Sequence, residues 1–374
     1  MILCGRWGGR YSTWHLYVSF FFLSFYGLGN SSLSLGEIGL FLIFLYNFFF
    51  KLKRLPLGFY QGLLLAMLSL FIALIFNFSG VGYDVVRAGF FFVTSFSVVA
   101  VIWFYQTKIS LMVDALLCSL WVHFIFCILQ LITPDLGFYF IEVGQRSSVL
   151  GGEFYRCSGL FHNPNSLALY ASVLGPLALW RNRIVYLYIS LALVLLTFSK
   201  TGALLVILMP LFLTMHYKIK TIYFVLFLMI LILVLMPLYA PYYELFASIV
   251  KYRLTHAESL ASRYDVYSNA IRNWSQWFFV GLGPMQDLFD GDQRVHNRIL
   301  SVAVQYGLPF CFILVSLFLI VLHKCFSFSI YWFFSLLNFA ALSLFHTLTY
   351  FQAEYVVVWL AVVLSFRNLK TGDK

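Results

Sequence analysis

The chain has 374 residues, of which 62% are hydrophobic and 10% are charged, and its formal net charge is +10. A soluble domain carries about a quarter charged positions, so this composition excludes a soluble globular enzyme and indicates a polytopic membrane protein. The positive balance fits an anionic membrane surface and requires no nucleic acid partner.

Apolar runs predict an all-α fold of about twelve membrane-spanning helices, several at or below the ~17–25 residues that a helix needs to cross hydrocarbon. The predicted spans are 14–28, 35–50, 58–76, 86–106, 109–132, 160–180, 184–198, 202–216, 223–239, 299–322, 328–348 and 350–366. The first run precedes Gly-Asn-Ser-Ser and not a small-x-small cleavage site, so we expect a span there and no signal peptide. Residues 1–374 are then one integral membrane domain.

Basic residues lie at alternate junctions between these spans, which predicts that both termini are cytoplasmic. The residues at these junctions are Arg6, Arg10, Lys51, Lys53, Arg54, Lys108, Arg181, Arg183, Lys218, Lys220, Lys324, Arg367, Lys370 and Lys374. Two long junctions on the other side, residues 133–159 and the large loop 240–298 between spans 9 and 10, are also basic. Basic periplasmic loops suggest an anionic ligand.

The first of these loops leads through Arg156-Cys157-Ser158-Gly159-Leu160-Phe161-His162-Asn163-Pro164-Asn165 into an apolar run. We expect Asn165 to cap the helix that follows. Free backbone N–H groups at a helix start, beside the guanidinium of Arg156, would make an anion site. A turn and cap with a surface arginine is the alternative.

The second loop contains an amphipathic pattern and a histidine. Apolar and aromatic residues recur every three or four positions from Leu260 to Phe279, which predicts a helix at the outer interface that ends at Gly281 and Gly283. His296 precedes the span predicted to begin at Ile299. It is a candidate to accept a proton from a hydroxyl, and an interfacial anchor is the alternative.

Ionisable residues within the predicted spans are few. Asp84 and Arg87 are three residues apart and are interpreted as an interfacial pair. Asp114 and His123 lie in the fifth span, where a packing or hydrogen-bonding role is as well supported as any other. The six cysteines have no CxxC spacing, and Cys157 alone lies in an outward loop, so neither a disulfide framework nor a metal site is predicted.

Three features resemble the O-antigen ligase and O-antigen polymerase superfamily of bacterial envelope glycosyltransferases. They are Arg-x-x-Gly-x-Phe-x-Asn-Pro-Asn at 156–165, Ser262-Arg263 followed by Gly281-Leu282-Gly283, and His296-Asn297 with Gly307 after nine intervening residues. The resemblance covers roughly residues 150–322, and the late periplasmic loop is also similar. Lys200 stands where the family often has arginine, and Phe310 departs from the small residue or tyrosine of the ligase pattern.

The resemblance implies a GT-C-like glycosyltransferase of the bacterial inner membrane. It would transfer a glycan from undecaprenyl diphosphate to an acceptor sugar hydroxyl at the periplasmic face, with inversion and without a cofactor or a metal. Arg156 and Arg263 would neutralise the diphosphate, and His296 would act as the base. The expected substrate-binding residues are Asn165, Asn297, Arg298, Arg272 and Lys200.

Two acceptors remain open. A ligase uses the lipid A core, which the His-Asn with its later glycine favours. A polymerase uses a second lipid-linked repeat unit and can have a chain-length regulator as a partner. A lipid-linked sugar transporter would need a coupling site near the midplane and matching halves, which the sequence lacks. A scaffold would not need cations and a histidine at one membrane face.

Overall fold

A computed structural model describes residues 13–25, 34–50, 55, 83–132, 146–149, 152–155, 157–161, 163–197, 267–282, 297–344 and 352–371. This part of the chain is mostly helical. Its α-helices are α1 (Trp14–Phe21), α2 (Leu35–Leu45), α3 (Tyr83–Phe104), α4 (Ile109–Ile132), α5 (Pro164–Trp180), α6 (Ile184–Leu196), α7 (Trp274–Trp277), α8 (Arg298–Tyr306), α9 (Leu308–Phe328), α10 (Ile330–Ser343) and α11 (Gln352–Thr371). Residues 267–272 are helical as well.

Short elements of other kinds adjoin these helices. The 3-10 turns Phe22–Ser24 and Gln106–Lys108 follow α1 and precede α4, and the π-helix Tyr46–Phe50 continues α2. Strands β1 (Arg146–Val149) and β2 (Gly152–Tyr155) form an antiparallel hairpin in which Arg146 is opposite Tyr155. The mostly helical structure agrees with the predicted all-α fold class, and the loop 133–159 contains this short hairpin, which was not predicted.

The observed helices agree with most of the predicted spans that lie in the described residues, with one clear exception. The span predicted at 299–322 is two helices, α8 and α9, which are separated at Gly307. Gly307 has φ +89°, a conformation that ends α8 and turns the chain into α9. Spans 58–76, 202–216 and 223–239 lie outside the described residues, so the number twelve stays a prediction.

Two helical stretches in the described part are long and apolar enough to cross a membrane, Gln106–Leu131 and Leu308–Phe328. The shorter apolar helices are Trp14–Ser24, Leu35–Phe50, Val93–Phe104, Ile184–Leu196, Ile330–Ser343 and Ala353–Phe366. Many apolar side chains of α9 are exposed, including Phe312, Leu317 and Ile320. An exposed apolar face of this kind suits contact with lipid.

Helices α1 and α2 pack with their backbones close together. A Cβ atom at Gly36 would overlap backbone atoms of Leu23 and Ser19. Helices in lipid associate through close packing and hydrogen bonds, so a glycine at this contact brings α1 and α2 together. Ser34 and Glu37 form a reciprocal capping box that satisfies N–H groups at the start of α2.

Helix α5 contacts α4, α6, α10 and α11. Its Pro176 has no N–H, so the carbonyl of Ser172 loses its helical donor. The Asn338 amide donates to that carbonyl at 2.9 Å, and the Ser335 hydroxyl donates to the Val173 carbonyl at 2.6 Å. A carbonyl without a donor is costly in hydrocarbon, so these two bonds stabilise the contact between α5 and α10.

An ion pair joins α4 to the connection between α5 and α6. Arg181 donates to both carboxylate oxygens of Asp114, at 2.9 and 2.8 Å, and Arg183 Nε lies 3.5 Å from the same carboxylate. These hydrogen bonds raise the pKa of Arg181, which keeps it charged. Lys108 is at this end of α4, so residues predicted to face the cytoplasm lie at one end of the described bundle. Their side of the membrane stays a prediction.

Candidate functional site

The segment Cys157–Phe161, which follows Arg156 in the chain, is docked against the other end of α4. The Gln130 side chain accepts hydrogen bonds from the N–H groups of Ser158 and Gly159, both at 3.1 Å. Its amide nitrogen donates to the Gly159 carbonyl at 3.0 Å. One buried side chain thus satisfies three backbone groups of the segment.

His123 holds the next residue of the same segment. Its Nδ1 accepts from the Leu160 N–H at 3.2 Å, and its Nε2 lies 2.8 Å from the Ser24 hydroxyl. Because a backbone N–H can only donate, the ring proton must be on Nε2, which donates to Ser24. The ring also stacks on Phe161, with centroids 5.1 Å apart. We call His123 and Gln130 together the clamp.

Gly159 allows the segment to fit against the clamp. Its φ is +58°, and a Cβ atom there would lie 2.9 Å from His123 Nδ1. Both the backbone conformation and the space therefore favour glycine.

The clamp is also tied to helices α1 and α5. Ser24 follows α1 and donates to Ser119 at 3.4 Å, and Ser119 lies 2.8 Å from the Tyr170 hydroxyl of α5. All four side chains from His123 to Tyr170 are buried. A buried polar network that is satisfied in this way fixes the relative positions of its members.

The start of α5 differs from the prediction. Asn163, and not Asn165, is the N-cap, and its side chain accepts from the Asn165 N–H at 2.8 Å. Ser166 and Leu167 donate their N–H groups to the Asn163 carbonyl, and Pro164 has none. The prediction of free N–H groups here is wrong, because every N–H group of the first turn donates to Asn163 and the proline has none. Anion binding at this terminus would have to come from side chains.

A turn at residues 278–282 is bound to the end of α8 and the start of α9 by backbone hydrogen bonds. The Leu282 N–H donates to the Val304 carbonyl, and the Leu308 N–H donates to the Phe278 carbonyl, both at 2.8 Å. Gly281, with φ +78°, ends the helical stretch as predicted, since its N–H donates to the Trp277 carbonyl. We call the contact between 278–282 and 304–308 the glycine clasp.

There is no space for a side chain at either glycine of the clasp. A Cβ at Gly281 would overlap the backbone of Gln305, and a Cβ at Gly307 would overlap the carbonyl of Phe279. Trp277 packs behind the clasp with Ala303, Val304 and Cys311. The clasp therefore brings Gly281 and Leu282 of one predicted motif against Gly307 of the other.

The clasp also fixes the start of α8, which is only nine residues long. Asn297, the residue after His296, is the N-cap of α8 and accepts from the Leu300 N–H at 3.0 Å. Arg298 is the first helical residue, and its guanidinium lies 5.8 Å from the centre of the Tyr355 ring of α11. This distance is suitable for a cation–π contact.

Arg272 lies on the helical stretch before the clasp and is exposed. Ile271, Trp274 and Phe279 of the same region are exposed apolar residues. Arginine beside exposed tryptophan is typical of a segment at a membrane interface. The predicted amphipathic helix is thus helical in its described part, with a turn at Asn273.

The structure brings together only some of the predicted site residues. Arg156, Arg263, His296 and Lys200 lie outside the described residues, as do the side chains of Asp84 and Arg87. Asn165 is at the start of α5, while Asn297, Arg298 and Arg272 belong to the region of the clasp.

Sequence reasoning missed Gln130, Tyr355 and the buried carboxylate of Glu354 at the start of α11. Each is a polar group in or beside an apolar run, and this is the signal that could have identified them. Gln130 also lies seven residues after His123, which places both on one face of α4.

No group of three or more His, Cys, Asp or Glu in the described part of the chain could hold a metal ion. The metal-independent mechanism stays a prediction. The five described cysteines are free thiols, and Cys157 is within 3.6 Å of the Cys127 carbonyl.

The described residues define a class: a mostly helical protein with apolar helices, in which the short helix α8 is held by the clasp. Residues 185–315 match the family model for O-antigen ligase. The match confirms the predicted resemblance to the O-antigen ligase and polymerase superfamily. The match includes the clasp and begins after Cys157–Phe161. No curated protein matches the chain.

Proposed function

We propose that this protein is an inner-membrane glycosyltransferase that transfers an O-antigen-type glycan from undecaprenyl diphosphate to the lipid A core at the periplasmic face. The O-antigen ligase match over residues 185–315 supports an O-antigen ligase or polymerase type of function in general. The single observation that carries the proposal is the glycine clasp, which joins the two family motifs of that match in space.

The proposed reaction is a single displacement at the anomeric carbon. The acceptor hydroxyl oxygen forms the new bond, and the bond to the diphosphate oxygen breaks, so the configuration inverts. His296 accepts the hydroxyl proton, and undecaprenyl diphosphate leaves as an anion. No nucleotide, cofactor or metal takes part in this scheme.

The arginines stabilise the leaving group in this mechanism. A guanidinium binds phosphate oxygens with two parallel hydrogen bonds, which an ammonium cannot do. We assign this role to Arg156 and Arg263. Because the N–H groups in the first turn of α5 already donate to Asn163, side chains are the remaining donors at that terminus.

Further residues are assigned to substrate binding. Asn165 lies at the start of α5, and Asn297, Arg298 and Arg272 lie in the region of the clasp. Lys200 would supply a further cation. The Oδ1 atom of Asn297 is used on the Leu300 N–H, so its Nδ2 group is the donor left for a sugar or a phosphate.

A deletion strain tests the acceptor. Loss of all O-chain from the lipid A core on a lipopolysaccharide gel is the expected result for a ligase. A core that bears one repeat unit would instead identify a polymerase. An unchanged ladder would refute both functions.

Complementation of that strain tests the residues. We expect Arg156→Ala, Arg263→Ala and His296→Ala to reach the membrane normally but to restore no O-chain, since a positioned base alone contributes about 10²–10⁴-fold. Arg183→Ala is the matched control, because that arginine contacts Asp114 at the other end of the bundle. Purified His296→Ala should bind undecaprenyl diphosphate normally, whereas the two arginine variants should not. Full complementation by any of the three would remove that residue from the site.

A further inference from the structure

The clamp of His123 and Gln130 has no part in the reaction described above, yet it holds the backbone that follows Arg156. Its two side chains bond four backbone groups of three consecutive residues: the N–H of Ser158, the N–H and the carbonyl of Gly159, and the N–H of Leu160. We propose that His123 and Gln130 are positioning residues: by fixing the backbone of residues 158–160 they support binding of the lipid-linked diphosphate, the role assigned to Arg156. This inference rests on the proposed function.

The clamp fixes the backbone conformation of residues 158–160 as well as their distance from α4. Gln130 bonds both the N–H and the carbonyl of Gly159, so it fixes the two peptide groups on either side of the Gly159 Cα atom. The conformation that it holds has φ +58° at Gly159, and few residues adopt it unaided. Ser158 follows Arg156 by two residues, so the fixed conformation begins close to Arg156 in the sequence.

The clamp is anchored independently of the segment that it holds. His123 Nε2 donates to Ser24, and the network continues through Ser119 to Tyr170 of α5. The held segment therefore keeps a constant position relative to the start of α5, where Asn163 caps the helix. A guanidinium on an otherwise irregular segment gains precision from such support.

Precision matters because bidentate phosphate binding is directional. A displacement of about 1 Å in a reacting or stabilising group can cost about 10²-fold in rate. The competing interpretation is that the clamp only stabilises the fold. The two interpretations differ in what happens to donor binding when the clamp is weakened but the protein stays folded.

Cys157 offers a direct measure of docking, since it is 1% exposed and belongs to the held segment. A membrane-impermeant maleimide should label it slowly in the parent protein. In His123→Leu and Gln130→Met, the lost bonds leave buried N–H groups without acceptors, and we expect labelling to be about tenfold faster or more. Peptide mass spectrometry distinguishes Cys157 from the other cysteines.

Two controls accompany the labelling. Asn338→Leu removes a buried hydrogen bond to the Ser172 carbonyl, away from the clamp, and should leave Cys157 protected. Ser158→Ala alters the held segment, but its hydroxyl has no hydrogen-bond partner in the described residues, so labelling should also stay slow.

Conservative variants then separate positioning from folding. In His123→Asn, the side-chain oxygen lies near the position of Nδ1 and can still accept a hydrogen bond from the Leu160 N–H. In His123→Gln, the longer side chain reaches towards Ser24, and the bond to the Leu160 N–H is lost. We expect His123→Asn to retain more affinity for undecaprenyl diphosphate than His123→Gln, at equal yield of folded protein. Affinity in His123→Leu and Gln130→Met should fall about tenfold or more, and transfer in cells should fall with it.

Each outcome bears on a separate claim. Fast labelling of Cys157 with unchanged affinity for undecaprenyl diphosphate and an unchanged ladder would overturn the positioning role and leave the proposed function intact. Slow labelling in both clamp variants would show that the segment does not depend on the clamp, which also overturns the inference. A parent protein that does not bind undecaprenyl diphosphate would refute the proposed function, and the donor role of the clamp with it.

Discussion

The clamp and the glycine clasp both hold an irregular stretch against a helix, but they do so with different atoms. At the clamp, side chains of α4 bond to backbone groups of residues 158–160. At the clasp, backbone groups of 278–282 bond directly to backbone groups of 304–308. The clamp therefore requires particular side chains on α4, whereas the clasp requires a glycine on each of its two sides.

The family match includes the clasp and not the clamp. Only glycine fits at Gly281 and Gly307, so any chain with this clasp must carry glycines at the same spacing. A clamp can be built from any side chain that presents a donor and an acceptor at the right place. The match to O-antigen ligase covers residues 185–315, which contain the clasp and begin after α4.

The largest effect is expected when the clasp is broken. In Gly281→Ala and Gly307→Ala, a positive φ costs about 1–2 kcal/mol and overpacking costs about 1–3 kcal/mol more. The overlap is with the backbone of Gln305 or Phe279, so the neighbour cannot move away by changing a rotamer. We expect a loss of folded protein in detergent, measured by thermal unfolding and size-exclusion chromatography, together with a loss of transfer. A parent-like Tm in either variant would contradict the clasp.

The second prediction uses the same substitution at the clamp. Gly159→Ala carries a similar backbone penalty, but its Cβ would meet a side chain, that of His123. The double variant Gly159→Ala with His123→Ala should therefore lose less stability than the sum of the two single variants, by about 0.5–3 kcal/mol. The corresponding double variant Gly281→Ala with Gln305→Ala should show no such relief. Strict additivity at Gly159 would mean that the contact with His123 is not what excludes a Cβ.

Much of the described fold follows from apolar periodicity. The helix predicted at 109–132 has these bounds in the structure, since it is flanked by polar residues and contains no glycine or proline. The span predicted from Ile299 to Leu322 was wrong because the apolar run continues through Gly307, and hydropathy does not register a change in φ. The hairpin at 146–155 was missed because its short strands lie in a polar loop.

The site was predictable where a motif requires an unusual backbone conformation. Gly281 was expected to end a helix and does so. The cap at the start of α5 was assigned to Asn165 when Asn163 is the one that precedes the helix, because either asparagine suits the pattern and Pro164 decides between them. The clamp depends on which helices are neighbours, and periodicity within one helix contains no information about that.

The third prediction concerns Asn297, which caps α8 at the edge of the clasp. Loss of the cap in Asn297→Ala should lower the free energy of unfolding by about 0.5–2 kcal/mol. Asn297→Ser should recover most of that stability, since serine also caps, but should not recover transfer if Nδ2 binds substrate. Thermal unfolding and the lipopolysaccharide ladder are compared in the same strains. Full transfer in Asn297→Ser would limit Asn297 to its capping role.

The smallest effect is expected at Ser158. A substitution there tests the contribution of a side chain of the held segment separately from that of its backbone. The clamp contacts the Ser158 N–H, whereas the Ser158 hydroxyl is buried without a hydrogen-bond partner in the described residues. Ser158→Ala keeps the N–H and removes a buried polar group, so the free energy of unfolding should change by no more than about 0.5 kcal/mol or should rise slightly. Gln130→Met removes three hydrogen bonds to the same segment and should cost several times more. A thermal unfolding series of parent, Ser158→Ala and Gln130→Met measures this ratio. If Ser158→Ala keeps its stability but restores no O-chain, the hydroxyl contacts substrate, and the segment contributes more to the site than the position of Arg156.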